Sequence, residues 1–461
     1  MFGVKVVTAA AAAVLMMACV GPTPALADTI EAALVRAYQN NPQLNAQRAA
    51  VRSIDETVPQ ALSGYRPKVN LTLTGGYQYQ DAQITSQTPA THGTTTPASA
   101  TLTAVQTIYN GQQTANGVRK AEANVSGQRE ALRLLEQQVL FLAAQIYMDY
   151  LRDAAIVEVQ RSNTRVLEQT LKQTRDRFNV GEVTRTDVAQ SEAQLAAGRT
   201  QQLTAESNLT TTRSNFRRII GNDPDNLAPG SPVDRFLPST LQQAINLALT
   251  ENPSVTSAMY GIDVQYLQVK IQEGALLPTV TVQASAQQSY QQGLQQFKSF
   301  GASAVAQVTV PIYQGGAEYA LIRGSKETLA QQRLTLEQTR DQARSDLVSA
   351  WGNLLAGKAQ VASAQAQVSA SEIALNGVRE EAKAGQRTTL DVLNAQQALV
   401  NARVSLVTAQ HDRVVASYNV LQRIGRLSPQ VLNLPTTVYD PSVHYQQVRD
   451  SWAGVRTPDG R

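Results

Sequence analysis

Ile108-Tyr109-Asn110-Gly111 is repeated as Ile312-Tyr313-Gln314-Gly315, and the match keeps register from there to Gly221 and Gly425. Gly181 returns as Gly385, Asp187-Val188 as Asp391-Val392 and Ile220-Gly221 as Ile424-Gly425, each 204 positions on. Upstream, Asn41-Pro42 returns as Asn252-Pro253 and Pro67 as Pro278, both 211 positions on. The slip of seven falls between Pro67 and Ile108, where the first copy has the longer loop. A match without insertions means that the lengths of the elements are fixed, as expected of long packed helices rather than tolerant loops.

Working outward from these landmarks, no proline interrupts residues 112–223 or 312–428. Two uninterrupted helices are expected over 113–178 and 317–382, each about 66 residues and ~100 Å long at ~1.5 Å per residue. Val118, Ala121, Val125, Leu132, Leu135, Val139, Leu142 and Ile146 step by threes and fours, with Gln128 the polar interruption, and trace a coiled-coil seam. Both helices end at a glycine turn, Asn179-Val180-Gly181 and Lys383-Ala384-Gly385, where the chain can reverse. The return legs are too short alone. Residues 184–220 need 253–276 end to end to match one long helix, and 388–424 need 42–65 from the other copy. A short helix over 240–249 lies between them. The layout is a first repeat over 28–220 with helical hairpin 113–220, an equatorial connector over 221–252, a second repeat over 253–424 with hairpin 317–424, and an equatorial segment and tail over 425–461. From Leu434 the tail is expected to offer no core.

Four segments alternate with period two. Val69, Leu71, Leu73, Tyr77 and Tyr79 interleave with Asn70, Thr72, Thr74, Gln78 and Gln80; Val280, Val282, Ala284 and Ala286 interleave with Thr279, Thr281, Gln283 and Ser285. Strands are thus expected at about 69–80, 101–109, 279–290 and 301–312, joined by polar loops over 81–100 and 291–299. One face is apolar and the other polar but uncharged, as in a barrel wall between lipid and water, whereas an ordinary half-buried sheet is the plainer alternative. Strands of about 10 to 12 residues reach ~33 to 40 Å, enough to cross a membrane when tilted. Four strands cannot close a barrel, and an open edge in lipid leaves backbone groups unpaired, so the chain must oligomerise. Eight strands would leave an interior that side chains fill, and twelve, from three chains, would leave a hole. The fold class expected is mixed α and β: a trimeric 12-stranded transmembrane β-barrel, four strands per chain, continued by a long α-helical coiled-coil barrel, with internal duplication.

Composition agrees. Aromatics are 5% and charges 16%, and the formal net charge of +4 is dispersed along the chain rather than striped, which argues against a nucleic-acid partner. Residues 1–27 read as a signal peptide: Lys5, an apolar run from Val6 to Val20, and Ala25-Leu26-Ala27 before Asp28. Met17-Ala18-Cys19 loosely resembles a lipoprotein box that would lipidate Cys19, but Met stands where Leu is usual and the better cleavage site lies downstream. No later stretch is apolar enough for a transmembrane helix. His92, His411 and His444 have no ligand-spaced neighbours, and there is no Gly-rich phosphate loop, so no enzyme, metal site or cofactor is expected.

Phe178-Asn179-Val180-Gly181-Glu182-Val183-Thr184-Arg185-Thr186-Asp187-Val188 and Gly385-Gln386-Arg387-Thr388-Thr389-Leu390-Asp391-Val392-Leu393-Asn394-Ala395 resemble the paired helical-tip motifs of the TolC family of outer-membrane export ducts. The resemblance covers Asp28 to about Leu434. It implies a homotrimer in outer-membrane lipid, with a helical tunnel in the periplasm that docks onto a periplasmic adaptor (membrane fusion) protein and an inner-membrane RND or ABC pump. It implies an exit duct for drugs and small toxic compounds, with type I protein secretion as the alternative main role. By resemblance, Thr186 and Asp187 on one hairpin and Arg387 on the other form the latch of the periplasmic gate. Asp391 and Asn394 line the constriction, and Val180, Gly181, Thr184, Ala384, Gly385 and Thr388 form the adaptor-docking tips. Ala382 stands where the family's latch often has an aromatic hydroxyl, and Asn394 where a second acidic ring can lie. A structural trimeric coiled-coil envelope protein or adhesin would gather its strands at one end of the sequence, and a simple porin has no use for such long helices.

If residues 1–27 are removed as read, N-terminal sequencing of the mature protein returns Asp28 and its mass shows no lipid. A diacylglyceryl Cys19 would reverse this expectation.

Overall fold

The seven-residue recurrence of apolar positions predicts that the long helices pack along one seam, and burial follows it. The computed structural model describes residues 28–82, 91–292, 298–458 and 460. The leader with Cys19, part of the loop expected over 81–100 and most of that expected over 291–299 lie outside the described residues. In chain order the elements are α1 (Ile30–Asn40), α2 (Pro42–Asp55), α3 (Thr57–Leu62), β1 (Lys68–Gly75), β2 (Gln78–Ala82), β3 (Thr91–Thr95), β4 (Ala98–Asn110), α4 (Gln113–Asn179), α5 (Arg185–Ile220), α6 (Leu241–Glu251), α7 (Pro253–Gly274), β5 (Thr279–Tyr290), β6 (Lys298–Thr309), α8 (Ala317–Lys383), α9 (Thr389–Ile424) and α10 (Ser442–Val448).

Helices α4 and α8 each have 67 residues, and α5 and α9 each have 36. On α8 the buried positions Ile322, Leu329, Leu336, Ala343, Ala350, Gly357 and Ala364 follow one another at steps of seven. On α4, Val125, Leu132 and Val139 do the same, and Leu142 of the expected seam is 37% exposed instead. A strict seven-residue repeat imposes a left-handed supercoil, because 3.6 residues per turn must be underwound to keep the seam facing its partner. Residues at the 204-residue offset make the same ion pair across each hairpin: Arg199 meets Glu168 at 2.8 Å, and Arg403 meets Glu372 at 2.7 Å.

The principal sheet is antiparallel in the order β1-β4-β5-β6. Its register aligns residues by character. Leu71, Leu102, Ala286 and Ala302 stand side by side, and so do Val69, Ala104, Ala284 and Ala304. The opposite face carries Asn70, Thr103, Ser285 and Ser303 in one rung. Hydroxyl pairs tie that face together: Thr74 to Ser99 at 2.7 Å and Ser285 to Ser303 at 2.9 Å. Strands β1 and β6 are the two edges of the sheet, with no second neighbour among the described residues.

Several boundaries differ from expectation for identifiable reasons. The strand expected through residue 80 stops at Gly75, and β2 pairs instead with β3 in a separate two-stranded ribbon that occupies part of the presumed 81–100 loop. Gly75-Gly76 has no side chain to hold the sheet there, and the Gly76 N–H is taken by the Pro97 carbonyl at 3.0 Å. The strand expected to reach 312 ends at Thr309, ahead of Pro311, which has no N–H to donate. The helix expected over 42–65 is broken into α2, α3 and a 3-10 turn over Ser63–Tyr65, since Pro59 cannot donate to the Asp55 carbonyl. Helix α1 is an element beyond those expected: Thr29 caps it, and Ile30, Ala33, Leu34, Ala37 and Tyr38 are buried on one face.

The belt around the middle of the bundle is a true core. Leu34, Tyr38, Leu140, Tyr147, Phe216, Leu421 and Leu427 are almost fully buried together. Tyr147 donates to the carbonyls of Asp28 and Ala228 at 2.8 and 2.6 Å, which clasps the segment before α1 against the connector. Gln137 donates to the Gly425 carbonyl at 2.6 Å, and Arg426 grips Glu251 with two bonds of 2.6 and 2.7 Å. The tail after Leu434 does have a core, contrary to expectation: Leu434, His444 and Val448 are buried, and His444 Nδ1 lies 3.0 Å from the buried carboxylate of Asp55. Apolar spacing was too sparse to reveal this, because a polar pair supplies the anchor. Burial raises the pKa of Asp55, while the hydrogen bond with His444 and the charge of Arg129 act against it.

Gly221 and Gly425 close α5 and α9 in the left-handed conformation, with φ of 97° and 95°. A Cβ at Gly425 would lie 2.6 Å from the Glu251 carbonyl, whereas one at Gly221 would meet nothing within 4 Å. Gly221→Ala is therefore expected to lower stability by about 1 kcal/mol from backbone strain alone. Gly425→Ala is expected to cost clearly more, about 2 to 4 kcal/mol, because the belt must also shift. Denaturant midpoints of the two variants check the ranking.

Candidate functional site

The two hairpin tips are built alike from local rules. At the end of α4, the Gly181 and Glu182 N–H groups donate to the carbonyls of Phe178 and Arg177, both at 2.9 Å. At the end of α8, Gly385 and Gln386 do the same to Ala382 and Glu381 at 3.1 and 2.9 Å. This double bond pattern needs a left-handed residue after the cap, and Gly181 and Gly385 supply it with φ of 83° and 79°.

The next helices begin with a reciprocal cap. Thr184 N–H and hydroxyl donate to Asp187 Oδ2 at 2.9 and 2.7 Å, and Asp187 N–H donates back to the Thr184 hydroxyl at 3.3 Å. Thr388 and Asp391 repeat the arrangement at 2.9, 2.9 and 3.2 Å. Hydrogen bonds from the Thr184 side chain and backbone hold Asp187 below the usual carboxylate range, and those from the Thr388 backbone and side chain do so for Asp391. Both caps are therefore complete above the ordinary aspartate pKa and are lost as pH falls through the lowered values of the folded state. The T-x-x-D spacing at 184–187 and 388–391 is the sequence signal for this cap, a role beyond the docking expected of Thr184 and Thr388, the latch of Asp187 and the ring of Asp391.

Arg387 turns to its own hairpin: its Nε donates to Glu381 at 2.8 Å, and Asp391 adds attraction from nearby. Among the described residues no hydrogen bond or ion pair joins Arg387 to Thr186 or Asp187. Glu381, six residues before Arg387, was not singled out from sequence, because pairing across a turn has no fixed spacing. Asn394 is exposed and Asp391 half-buried. Val180, Gly181, Thr184, Ala384, Gly385 and Thr388 are all exposed, and beside them Phe178, Val180 and Leu390 present apolar surface of 42%, 72% and 42% exposure.

Contact between the hairpins comes one turn behind the tips. Leu393 of α9 is buried against Leu167 and Leu171 of α4 and Leu195 of α5. Gln194 donates to Gln397 at 3.1 Å, while Arg379 donates to Gln396 at 2.9 Å and Gln396 in turn faces the buried Asn163 at 3.4 Å. Leu393 fills the groove of the other hairpin, and the amide chain fixes its register. Such an arrangement can hold two helical pairs together while leaving their tips free to engage something else.

Sequence and structure comparisons agree with this architecture. The family model described as outer membrane efflux protein matches residues 33–222 and 244–426. Outer membrane efflux protein BepC of Brucella suis is 41% identical over 438 residues, covering 95% of this chain and 94% of that protein. Outer membrane protein TolC of Escherichia coli is 27% identical over 432 residues, covering 87% and 83%. A crystal structure of CusC shares the fold with a TM-score of 0.76 at 16% identity, over 87% of this chain and 92% of that one.

The cap geometry makes a prediction that does not depend on assembly. Thr388→Val removes the hydroxyl at the start of α9 and is expected to speed amide exchange in its first turn roughly fivefold, equivalent to about 1 kcal/mol. Thr388→Ser should leave the exchange nearly unchanged.

Proposed function

We propose, for a chain that belongs to the outer membrane efflux protein family, that it is the exit duct of a tripartite export system. The protein belongs to the bacterial outer membrane, with its helical tunnel in the periplasm. The observation that carries the reading is the joining of a two-faced, two-edged sheet to two coiled-coil hairpins of equal length. Three copies would pair β6 of one chain with β1 of the next and close twelve strands with the hydroxyl-bearing face toward water. The helical pairs would then continue the bore for about 100 Å at ~1.5 Å per residue. Drugs and small toxic compounds are the proposed cargo, delivered by an inner-membrane pump through a periplasmic adaptor that grips the exposed apolar tip residues. Catalysis is no part of this proposed role.

Closure would rest on the tips. Arg387 spends only Nε on Glu381, and Asp187 spends only Oδ2 on its cap, so the remaining guanidinium N–H groups and Asp187 Oδ1 stay available to each other across adjacent hairpins. Each exposed contact is worth roughly 0.2 to 1 kcal/mol, but three symmetric copies bias a single opening event. At the constriction Asp391 would draw cations, and Asp391→Asn is the informative change because it removes charge while keeping an oxygen for the cap.

Mass measurement in detergent is expected to return a trimer, and planar-bilayer recording a small resting conductance that rises severalfold in Arg387→Ser. A monomer, or an even-numbered assembly, rejects the duct. A normally assembled trimer whose Arg387→Ser form conducts as wild type rejects the latch and leaves closure to the Leu393 contact.

A further inference from the structure

The tail that follows the belt climbs the outside of the bundle in step with the first helices. Thr436 accepts from Gln39 at 2.9 Å, and the Tyr439 N–H donates to the Tyr38 hydroxyl at 3.0 Å. Next comes the buried pair of His444 with Asp55 at 3.0 Å. Finally the Ser451 carbonyl accepts from Arg66 Nη1 at 2.6 Å, and the same guanidinium stands 4.6 Å over the ring of Trp452. Successive tail residues thus meet successive residues of α1, α2 and the turn before β1, all in one direction. The climb ends two residues before Lys68, where the sheet begins, and Val69 opens the apolar face immediately above.

What the tail presents at that level is unusual for a terminal segment. Trp452 is 72% exposed despite its cation–π partner, and Val455 is fully exposed. Arg456 makes no ion pair among the described residues, and Lys68 and Arg66 lie at the strand root. An exposed amphipathic indole stacked on Arg66, with Arg456 four residues on and Lys68 at the strand root free of ion pairs among the described residues, is the composition of a membrane–water interface anchor. A purely solvated tail needs neither the His444 anchor nor a tryptophan fixed on Arg66.

We propose that residues 449–456 form a membrane-surface clamp, in which Trp452 enters the headgroup layer of the periplasmic leaflet and Arg456 binds the phosphate of an anionic phospholipid. The clamp rests on the outer-membrane reading above and adds to it a lipid site outside the barrel. Because α10 couples Trp452 to the belt through His444, such a site ties the height of the helical bundle to the plane of the leaflet. Lipid binding at Arg456 and docking at the periplasmic tips then lie at opposite ends of the same helices.

The chain has two tryptophans, so Trp351→Phe leaves Trp452 as the sole indole. The full-length Trp351→Phe protein is reconstituted in vesicles of phosphatidylglycerol and phosphatidylethanolamine with acyl chains brominated near the headgroup. Should this variant assemble poorly, the difference between wild type and Trp452→Phe isolates the same signal. Trp452 emission is expected to fall by about half, with the quenching reduced roughly twofold by Arg456→Gln or by replacing phosphatidylglycerol with phosphatidylcholine. Quenching that is strong but indifferent to both changes overturns the anionic-lipid site. Trp452 that escapes brominated lipid and is quenched by acrylamide as in water, in vesicles where the channel conducts, overturns the clamp alone. Protein that neither inserts nor conducts overturns the export-duct reading and the clamp with it.

Discussion

A sheet with two open edges cannot stand in hydrocarbon, where every unpaired N–H and C=O costs several kcal/mol. That constraint organises everything else in this chain. Strands β1 and β6 are edges with no further neighbour among the described residues, so in the proposed duct other copies would finish the barrel. Under that proposal each copy would contribute an equal arc, and the helices below would share its symmetry. The small residues buried on α8, namely Ala343, Ala350, Gly357 and Ala364, allow close approach of the neighbouring helices. At Gly357 the Arg413 backbone comes so near that a Cβ would lie 3.4 Å from its Cα.

The tips show how local and global requirements share atoms. Asp187 and Asp391 were singled out as latch and ring carboxylates, and each first serves as the acceptor that starts a helix. A carboxylate already held by two donors is preorganised, and its second oxygen points where the cap leaves it. The proposed gate contacts would therefore require no new strained geometry, since they would use the lone pairs left over from capping. Leu393 and the Arg379–Gln396–Asn163 chain sit behind this layer and hold the two hairpins together without engaging either cap.

The long helices were legible because periodicity repeats over many turns and proline is absent, so error at one position is corrected by the next. Their ends were legible because Gly181 and Gly385 mark left-handed turns. Short-range punctuation was harder. Pro59 and Gly75-Gly76 break elements that hydropathy alone runs straight through, and α1 is short enough that its apolar spacing gives little signal. The docked tail was illegible for a different reason: its hold depends on the pairing of His444 with Asp55, hundreds of residues apart, and no pattern in one sequence encodes that distance. Glu381 escaped likewise, since a contact across a turn follows geometry rather than spacing.

One asymmetry between the hairpins outlives their likeness. Leu167 on α4 fits against Gly198 on α5 so tightly that a Cβ at residue 198 would lie 2.7 Å from its Cδ1. At the corresponding positions of the second half, the large residue has become Ser371 and the glycine has become the fully buried Ala402. Volume removed from one helix has been returned on its partner. Copying residue 402 into position 198 alone would drive a methyl group into Leu167, and copying Ser371 into position 167 alone would leave a void. The two halves, so nearly alike in outline, can no longer be overwritten by one another a residue at a time. Each half thus carries its own packing code at this level, independent of the turns and caps the two share.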